Sequence, residues 1–284
     1  MQKQEKYDTV ELLMPKKVTK VILPVAGSGK RLFPLTLHVP KPMIGVLDRP
    51  MVHYTLEEAG KAGIREAIFV TGKNRRMVEE YLPHADLPLS YLFTEQENAI
   101  GNADAIYQAQ KFLEHEPVAI AFSDDLLVYK IPPLKVLISF FNKVREPILL
   151  LERVPLKDVS KYGVVRATPS KRYPGLVEIS DIVEKPSPRK APSNLTIIGR
   201  YIITPRVFDL IKTLYPPKAG VEIGLTDALT LYIKEGGKVY GWLFPGLRFD
   251  CGSKLGLARA QIYFGLNHPE YRKEIKKYLR SLKF

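Results

Sequence analysis

Val21-Ile22-Leu23-Pro24-Val25-Ala26-Gly27-Ser28-Gly29-Lys30-Arg31, with Pro40-Lys41-Pro42-Met43 close behind it, decides the reading of this chain. An apolar run ends in a loop where two glycines let the backbone approach a ligand closely. Lys30, Arg31 and Lys41 bring three cations to that strand end, which is where open α/β sheets bind ligands. The loop suits the polyphosphate of a nucleoside triphosphate. Two better-known phosphate loops are excluded. A Walker A loop needs Gly where Pro24 stands and Ser or Thr where Arg31 stands, and a dinucleotide fingerprint needs a small residue in place of Leu32.

Outward from the loop, strand and helix patterns alternate. Val18 to Val25, Ala67 to Thr71, Ser90 to Thr94 and Val118 to Phe122 read as strands. Pro50 to Ala62 reads as a helix that opens on Pro and is followed by Gly63. Arg75 to Leu82, Asn102 to Leu113 and Pro132 to Val144 are further helices, and Pro147 to Glu152 is another strand. Such alternation predicts an α/β fold, a Rossmann-like, mainly parallel but mixed sheet with helices on both faces. The second half mixes strand candidates Tyr162 to Ala167, Val177 to Glu184 and Thr196 to Ile203 with helices Pro205 to Leu214 and Leu225 to Glu235. No internal repeat and no low-complexity linker divides the chain. Residues 1–17 read as an N-terminal arm and 18–268 as one catalytic domain. In 269–284, Ile275, Tyr278, Leu279 and Leu282 recur at helical spacing among Lys and Arg, which predicts a basic amphipathic helix.

Composition bounds the function. At 284 residues and 45% hydrophobic content the chain can bury a large core. The net charge of +13 is spread along the sequence and accompanied by no nucleic-acid signature, so an anionic small substrate accounts for part of it and no nucleic-acid partner is expected. Cys251 is the single cysteine, which excludes an intramolecular disulfide and a thiolate metal cluster. No apolar run approaches membrane-spanning length, and Met1 to Lys17 lacks the apolar core of a signal peptide; a cytoplasmic location without membrane insertion is the expectation.

Several residues outside the loop carry chemistry. Asp124 and Asp125 follow the apolar strand at its carboxyl end, and Asp250 stands far away in Arg248-Phe249-Asp250-Cys251-Gly252. Hard oxygen donors from two segments suit Mg²⁺, which takes one or two carboxylates and completes its shell with water and phosphate oxygens. Gln96, with Gly101 at the next helix start, offers an amide donor and acceptor suited to a base edge. Glu184 can accept from sugar hydroxyls while Lys185 pairs with a phosphate. Adjacent strand residues face opposite sides, so both can serve one site only if the strand ends or bulges there, and Pro186 makes an ending plausible.

Taken in order, Leu23-Pro24-Val25-Ala26-Gly27-Ser28-Gly29, Pro40-Lys41-Pro42-Met43, Lys161-Tyr162-Gly163-Val164-Val165, Val183-Glu184-Lys185-Pro186, Ala191-Pro192-Ser193-Asn194, Gly199-Arg200-Tyr201, Glu222-Ile223-Gly224-Leu225-Thr226-Asp227 and Asp250-Cys251-Gly252-Ser253-Lys254-Leu255-Gly256 resemble the bacterial-type UTP:glucose-1-phosphate uridylyltransferases, or UDP-glucose pyrophosphorylases, within the sugar-phosphate nucleotidyltransferases. The resemblance runs from about Val18 to Pro269. It implies UTP and glucose 1-phosphate as substrates, UDP-glucose and pyrophosphate as products, Mg²⁺ as cofactor and a homo-oligomer, dimer or tetramer. By the same resemblance, Ala26, Gly27, Gly29, Lys30, Arg31, Lys41, Gln96 and Gly101 bind the nucleotide. Gly163, Glu184, Lys185, Gly199, Glu222 and Thr226 bind the sugar phosphate, and Asp124 and Asp250 hold the metal. Arg31, Lys41, Asp124, Lys185 and Asp250 form the catalytic set. Lys30, Asn102-Ala103-Asp104 and Gly224 depart from the family pattern. A transferase using dTTP or CTP and a non-catalytic nucleotide-sugar-binding homologue are the competing readings.

Overall fold

Nine strands form the central sheet of the computed structural model, which describes residues 16–72, 75–218 and 220–282. In chain order the strands are β1 (Lys20–Pro24), the short pair β2 (Gly45–Val46) and β3 (Arg49–Pro50), β4 (Glu66–Thr71), β5 (Ser90–Glu95), β6 (Val118–Ala121), β7 (Asp125–Val128), β8 (Ile148–Arg153), β9 (Gly163–Pro169), β10 (Val177–Glu184), β11 (Leu195–Ile203), β12 (Val239–Leu243) and β13 (Leu247–Asp250). The sheet runs β5-β4-β1-β6-β11-β8-β12-β10-β9. Its first four strands are parallel neighbours. Strand β11 is antiparallel to β6 and β8, and β10 is antiparallel to β12 and β9. The expected mixed sheet is therefore divided, with a parallel half built from 20–121 and a largely antiparallel half built from 148–243.

The parallel strands are buried on both faces, which is why they read as continuous apolar runs rather than alternations. Val21, Leu23, Phe69 and Ala119 face one side, where Val52 and Leu56 of helix α1 (Met51–Lys61), Val78 of α2 (Arg75–Tyr81) and Leu137 and Phe141 of α4 (Pro133–Val144) cover them. Ile22, Ile68, Val70 and Ile120 face the other, under Ile106 of α3 (Asn102–Gln108), Phe208 of α5 (Pro205–Thr213) and Leu229 of α6 (Leu225–Lys234). Each such side chain, fully removed from water, contributes about 1.5–3 kcal/mol before entropy is counted.

A third, smaller core joins Leu32, Ile44, Val46, Met51, Leu126, Cys251 and Leu257. It seats helix α7 (Lys254–Asn267) on an antiparallel ribbon of β7 and β13, in which Asp250 lies opposite Asp125. Neither the ribbon strands nor α7 stands out by periodicity in the sequence. Burial, followed by the nearby carboxylates of Asp124, Asp125 and Asp250, pushes the Cys251 thiol up to about 12. Native protein should therefore resist Ellman's reagent at pH 8 and release one thiol per chain only in guanidinium; rapid native reaction would place Cys251 outside this core.

The basic amphipathic helix at the C-terminus is present as α8 (Arg272–Ser281), with no buried residue and Tyr278 64% exposed. Its Ile275 reaches the Cα face of Gly265 in α7. Of the N-terminal arm, residues 1–15 lie outside the described residues. Among the described residues no helix is long and apolar enough to cross a membrane.

Candidate active site

Parallel strands place their carboxyl ends on one edge of a sheet. The glycine loop after β1, the Gln96 segment after β5 and the Asp124 segment after β6 therefore share an edge. Strand β11 arrives antiparallel with Arg200 opposite Ala121, which sets Gly199 beside Phe122 at the same edge. Glu184 pairs with Gly163 at the matching ends of β10 and β9.

Two clefts open on this edge and share Asn102, Phe122 and Asp124. The larger, about 450 Å³, is walled by Ala26, Gly27, Lys41, Gln96, Gly101 and Asp124, with Lys185 and Glu222 at its rim. A Cβ on Gly27 would meet nothing within 4 Å, so the loop backbone faces open space where a ligand group fits. Gly29 is left-handed at φ 63°, and its carbonyl accepts from Thr36 Oγ1 at 2.9 Å, which fixes the turn. The smaller cleft, about 230 Å³, is walled by Arg31, Gly163, Glu184, Gly199, Thr226 and Asp250. Lys185 and Glu222, expected on the sugar side, stand on the wall of the larger cleft, while Lys30 is exposed and lines neither.

Strand β10 ends at Glu184, and Lys185 turns the chain with a left-handed φ of 44°. That turn answers the parity problem, since Lys185 Nζ lies 3.4 Å from Glu184 Oε1 and the two side chains flank the junction of the clefts. A non-glycine residue in this region costs energy, which the bond from Lys185 N to the Tyr162 carbonyl at 3.0 Å helps offset.

Asp124 and Asp250 converge although 126 positions separate them. Cys251 N donates to the Asp124 carbonyl at 2.8 Å, stitching the two segments together. A Cβ built on Gly252 would lie 2.5 Å from Arg31 Nη2, 2.7 Å from Asp124 Oδ2 and 2.9 Å from Asp250 Oδ1, so three charged groups surround one glycine. Lys41 pairs directly with Asp124. Arg31 lies 3.9 Å from Asp124 and 3.7 Å from Asp250. Burial alone would raise the Asp124 carboxyl, but Lys41 and Arg31 outweigh it and hold it below the ordinary carboxylate range. Asp250 is oriented by Gly252 N at 3.0 Å and by the Tyr162 hydroxyl at 3.2 Å.

Three supporting residues carry no signal that sequence spacing reveals. Asp125, adjacent to Asp124, turns inward to accept from Gly199 N at 2.8 Å and from Arg248 at 2.6 Å. Arg248 also reaches Glu152 and lies 4.8 Å over the Tyr162 ring, so it braces the floor of the smaller cleft. Arg200, 1% exposed, pairs with Glu58 and donates to the carbonyls of Phe122, Gly199 and Asp125, which fixes the backbone on both sides of Asp124. Removing one partner of such a buried pair costs about 3–5 kcal/mol.

Gln96 donates through Nε2 to the Gly101 carbonyl at 2.9 Å and to Asp104 at 2.7 Å. Gly101 has φ 125° and ψ 170°, and its Cα packs on the backbone of Ile223. Through this contact, with Ile223 N bonded to the Ile100 carbonyl at 2.7 Å, the segment carrying Glu222 and Thr226 docks against the start of α3.

Known proteins resemble this chain over most of its length. Over 94% of its length the chain is 35% identical to a UTP--glucose-1-phosphate uridylyltransferase of Staphylococcus epidermidis, covering 99% of that protein. It superposes on a UDP-glucose pyrophosphorylase crystallised with UDP-glucose with a TM-score of 0.81 and 34% identity, covering 87% of this chain and 98% of the other. The UTP-bound enzyme of Acinetobacter baumannii also gives a TM-score of 0.81, at 28% identity, over 94% of this chain and all of that one. The model of the nucleotidyl transferase family matches residues 20–262, a span that takes in both clefts and the ribbon joining them, and the chain belongs to that family.

Proposed function

We propose that this protein transfers a uridylyl group from UTP to glucose 1-phosphate, releasing UDP-glucose and pyrophosphate. The carrying observation is the pair of clefts that meet at Asp124, one walled by the glycine loop and Gln96 and the other by Glu184 and Thr226. Full-length relatives named for this reaction, and neighbours crystallised with UTP and with UDP-glucose, support the same reading.

In the reaction, an oxygen of the sugar phosphate forms a bond to the α-phosphorus of UTP while the bond to the bridging oxygen breaks and pyrophosphate departs. The attacking phosphate is already ionised, so no general base is required. Two anions must approach, and the cations of the site oppose their repulsion. Arg31, exposed and, among the described residues, held by long contacts to the two aspartates, can follow charge onto the departing pyrophosphate. Lys41 and Lys185 both line the larger cleft. Holding both substrates against one wall converts an encounter into a positioned reaction, worth roughly 7–11 kcal/mol in favourable cases.

Enzymes of this family generally use a divalent metal. Asp124 and Asp250 offer hard oxygen donors, and among the described residues no cluster of three His, Cys, Asp or Glu side chains forms a closed cage. This donor set fits Mg²⁺, which keeps positions for phosphate oxygens and water. When bound there, Mg²⁺ supplies charge neutralisation and orientation at the α-phosphate. A cytoplasmic homo-oligomer completes the proposal, with Leu255 and Ile262, a heptad apart on α7 and both more than half exposed, among the apolar side chains open to a second copy.

Pyrophosphate release measured across UTP, dTTP and CTP with several sugar 1-phosphates tests the activity, and the highest kcat/KM is expected for UTP with glucose 1-phosphate. A tenfold preference for dTTP overturns the uridylyl assignment. The sugar cleft has its own test. Glu184→Ala removes a charged acceptor worth about 1.5–3 kcal/mol and should raise KM for glucose 1-phosphate roughly 10- to 100-fold while KM for UTP moves less than threefold. Unchanged sugar-phosphate kinetics would move the sugar elsewhere.

A further inference from the structure

Asp104 is one of the few buried acidic residues of the protein, 4% exposed in the first turn of α3. It accepts hydrogen bonds from Gln96 Nε2 at 2.7 Å, from Gln108 Nε2 at 3.1 Å and from the Tyr215 hydroxyl. The contact to Gln96 matters for recognition because Gln96 lies on the wall of the larger cleft, and the amide has two faces of opposite hydrogen-bonding character. Both acceptors behind Gln96, the Asp104 carboxylate and the Gly101 carbonyl at 2.9 Å, demand N–H groups. Only the amide nitrogen can serve them. Rotating the amide would set Oε1 against two oxygens and forfeit both bonds. The group left for a ligand is Oε1, an acceptor held outward by the two bonds behind it.

We infer that Asp104 is a positioning residue for base selection: by locking the Gln96 amide, it makes the larger cleft accept a base with N–H at N3 and reject one with a lone pair there. Uracil and thymine carry that N–H, and cytosine carries the lone pair. The inference rests on the reading of the larger cleft as the nucleotide site. It assigns to Asp104 the discrimination between UTP and CTP, and leaves the choice between UTP and dTTP to the shape around the C5 methyl.

Asp104→Asn tests it, because an asparagine can donate as well as accept. Gln96 can then turn and offer N–H to N3 of cytosine at the loss of one bond, that to the Gly101 carbonyl, instead of two. Binding of UTP, dTTP and CTP to full-length wild type and D104N is measured by titration calorimetry, alongside kcat/KM for each with glucose 1-phosphate. In D104N the preference for UTP over CTP should fall at least tenfold, chiefly through KM. The UTP-to-dTTP ratio, kcat at saturating UTP and KM for glucose 1-phosphate should stay within threefold. If all three nucleotides weaken together and the UTP-to-CTP ratio holds, Asp104 is a packing residue only and the inference fails. Should D104N not give a folded circular dichroism spectrum, Asp104→Ser carries the same comparison, since a hydroxyl also donates and accepts. Wild-type protein that makes no UDP-glucose would remove the reading of the cleft; protein that makes it while D104N keeps the full UTP preference removes only the role of Asp104.

Discussion

Asp124→Asn and Asp250→Asn should each lower turnover with UTP and glucose 1-phosphate by about 10²–10³-fold, the usual cost of deleting one preorganised electrostatic group from a reacting centre. Each substitution keeps the shape of the side chain. The fold has other supports at both positions, since Cys251 N bonds to the backbone carbonyl of Asp124 and Gly252 N can still reach an amide oxygen at 250. Asp250→Asn should therefore melt close to wild type and Asp124→Asn somewhat lower, since Lys41 and Arg31 favour its charged form in the folded protein, while activity falls in both. The two carboxylates flank one point beside Gly252 and share Arg31, so they act as a unit. Their losses should not multiply, and the double variant should be scarcely slower than either single one. Binding of Mn²⁺, followed by its paramagnetic signal with nucleotide present, should weaken in both single variants. Near-normal activity in Asp250→Asn, or clean multiplication of the two losses, would sink the shared-site model.

Gly101→Ala should also damage activity, by a different route. The conformation at φ 125° and ψ 170° is one that only glycine adopts readily, and forcing alanine into it costs about 1–3 kcal/mol. The new Cβ would also meet the backbone of Ile223, with its nitrogen 2.6 Å away, and backbone cannot yield as a flexible side chain can. The segment from Glu222 to Thr226 must then lift from α3, breaking the bonds from Ile223 N to the Ile100 carbonyl and from Leu225 N to Asn102 Oδ1 at 2.8 Å. Glu222 belongs to one cleft and Thr226 to the other. The expected result is a tenfold or greater fall in kcat/KM for both substrates together, with a melting temperature several degrees lower. A variant that weakens only the nucleotide would show that Gly101 serves base contact alone and that the 222–226 segment is held by other means.

The parallel half of the fold was legible in the chain because a strand buried on both faces must be apolar throughout, and Val21 to Leu23, Ala67 to Val70 and Val118 to Ala121 are. Once the strands are parallel, the residues that follow them share an edge by topology, so the glycine loop, Gln96 and Asp124 were readable as neighbours. The ribbon of β7 and β13 was not. Its strands are four residues each, β7 burying only its first two and β13 none, and they carry no periodicity that separates them from a loop. Without that ribbon, Asp250 has no address, although its motif marks it as chemically interesting. The same limit applies to Asp124 and Asp125. They are adjacent acids of identical composition, and only packing pairs one with Lys41 on the wall of the larger cleft and ties the other to Gly199 and Arg248.

The amino-acid sequence by itself determined the α/β class, the glycine loop at the end of the first strand and the donor types proposed for a nucleotide, a sugar phosphate and a metal. These follow from local rules of burial, spacing and donor type. Which cation reaches a cleft, with Lys41 on the wall and Lys30 in solvent, was decided by the turn at Gly29. The tertiary structure also decided that Glu184 and Lys185 can serve one site, through a left-handed residue at the end of β10. It decided that Gln96 shows one face of its amide, through Asp104. Orientation of a side chain depends on what packs behind it, and those neighbours come from segments as distant as 104 and 215, or 124 and 250, whose meeting only the folded chain brings about.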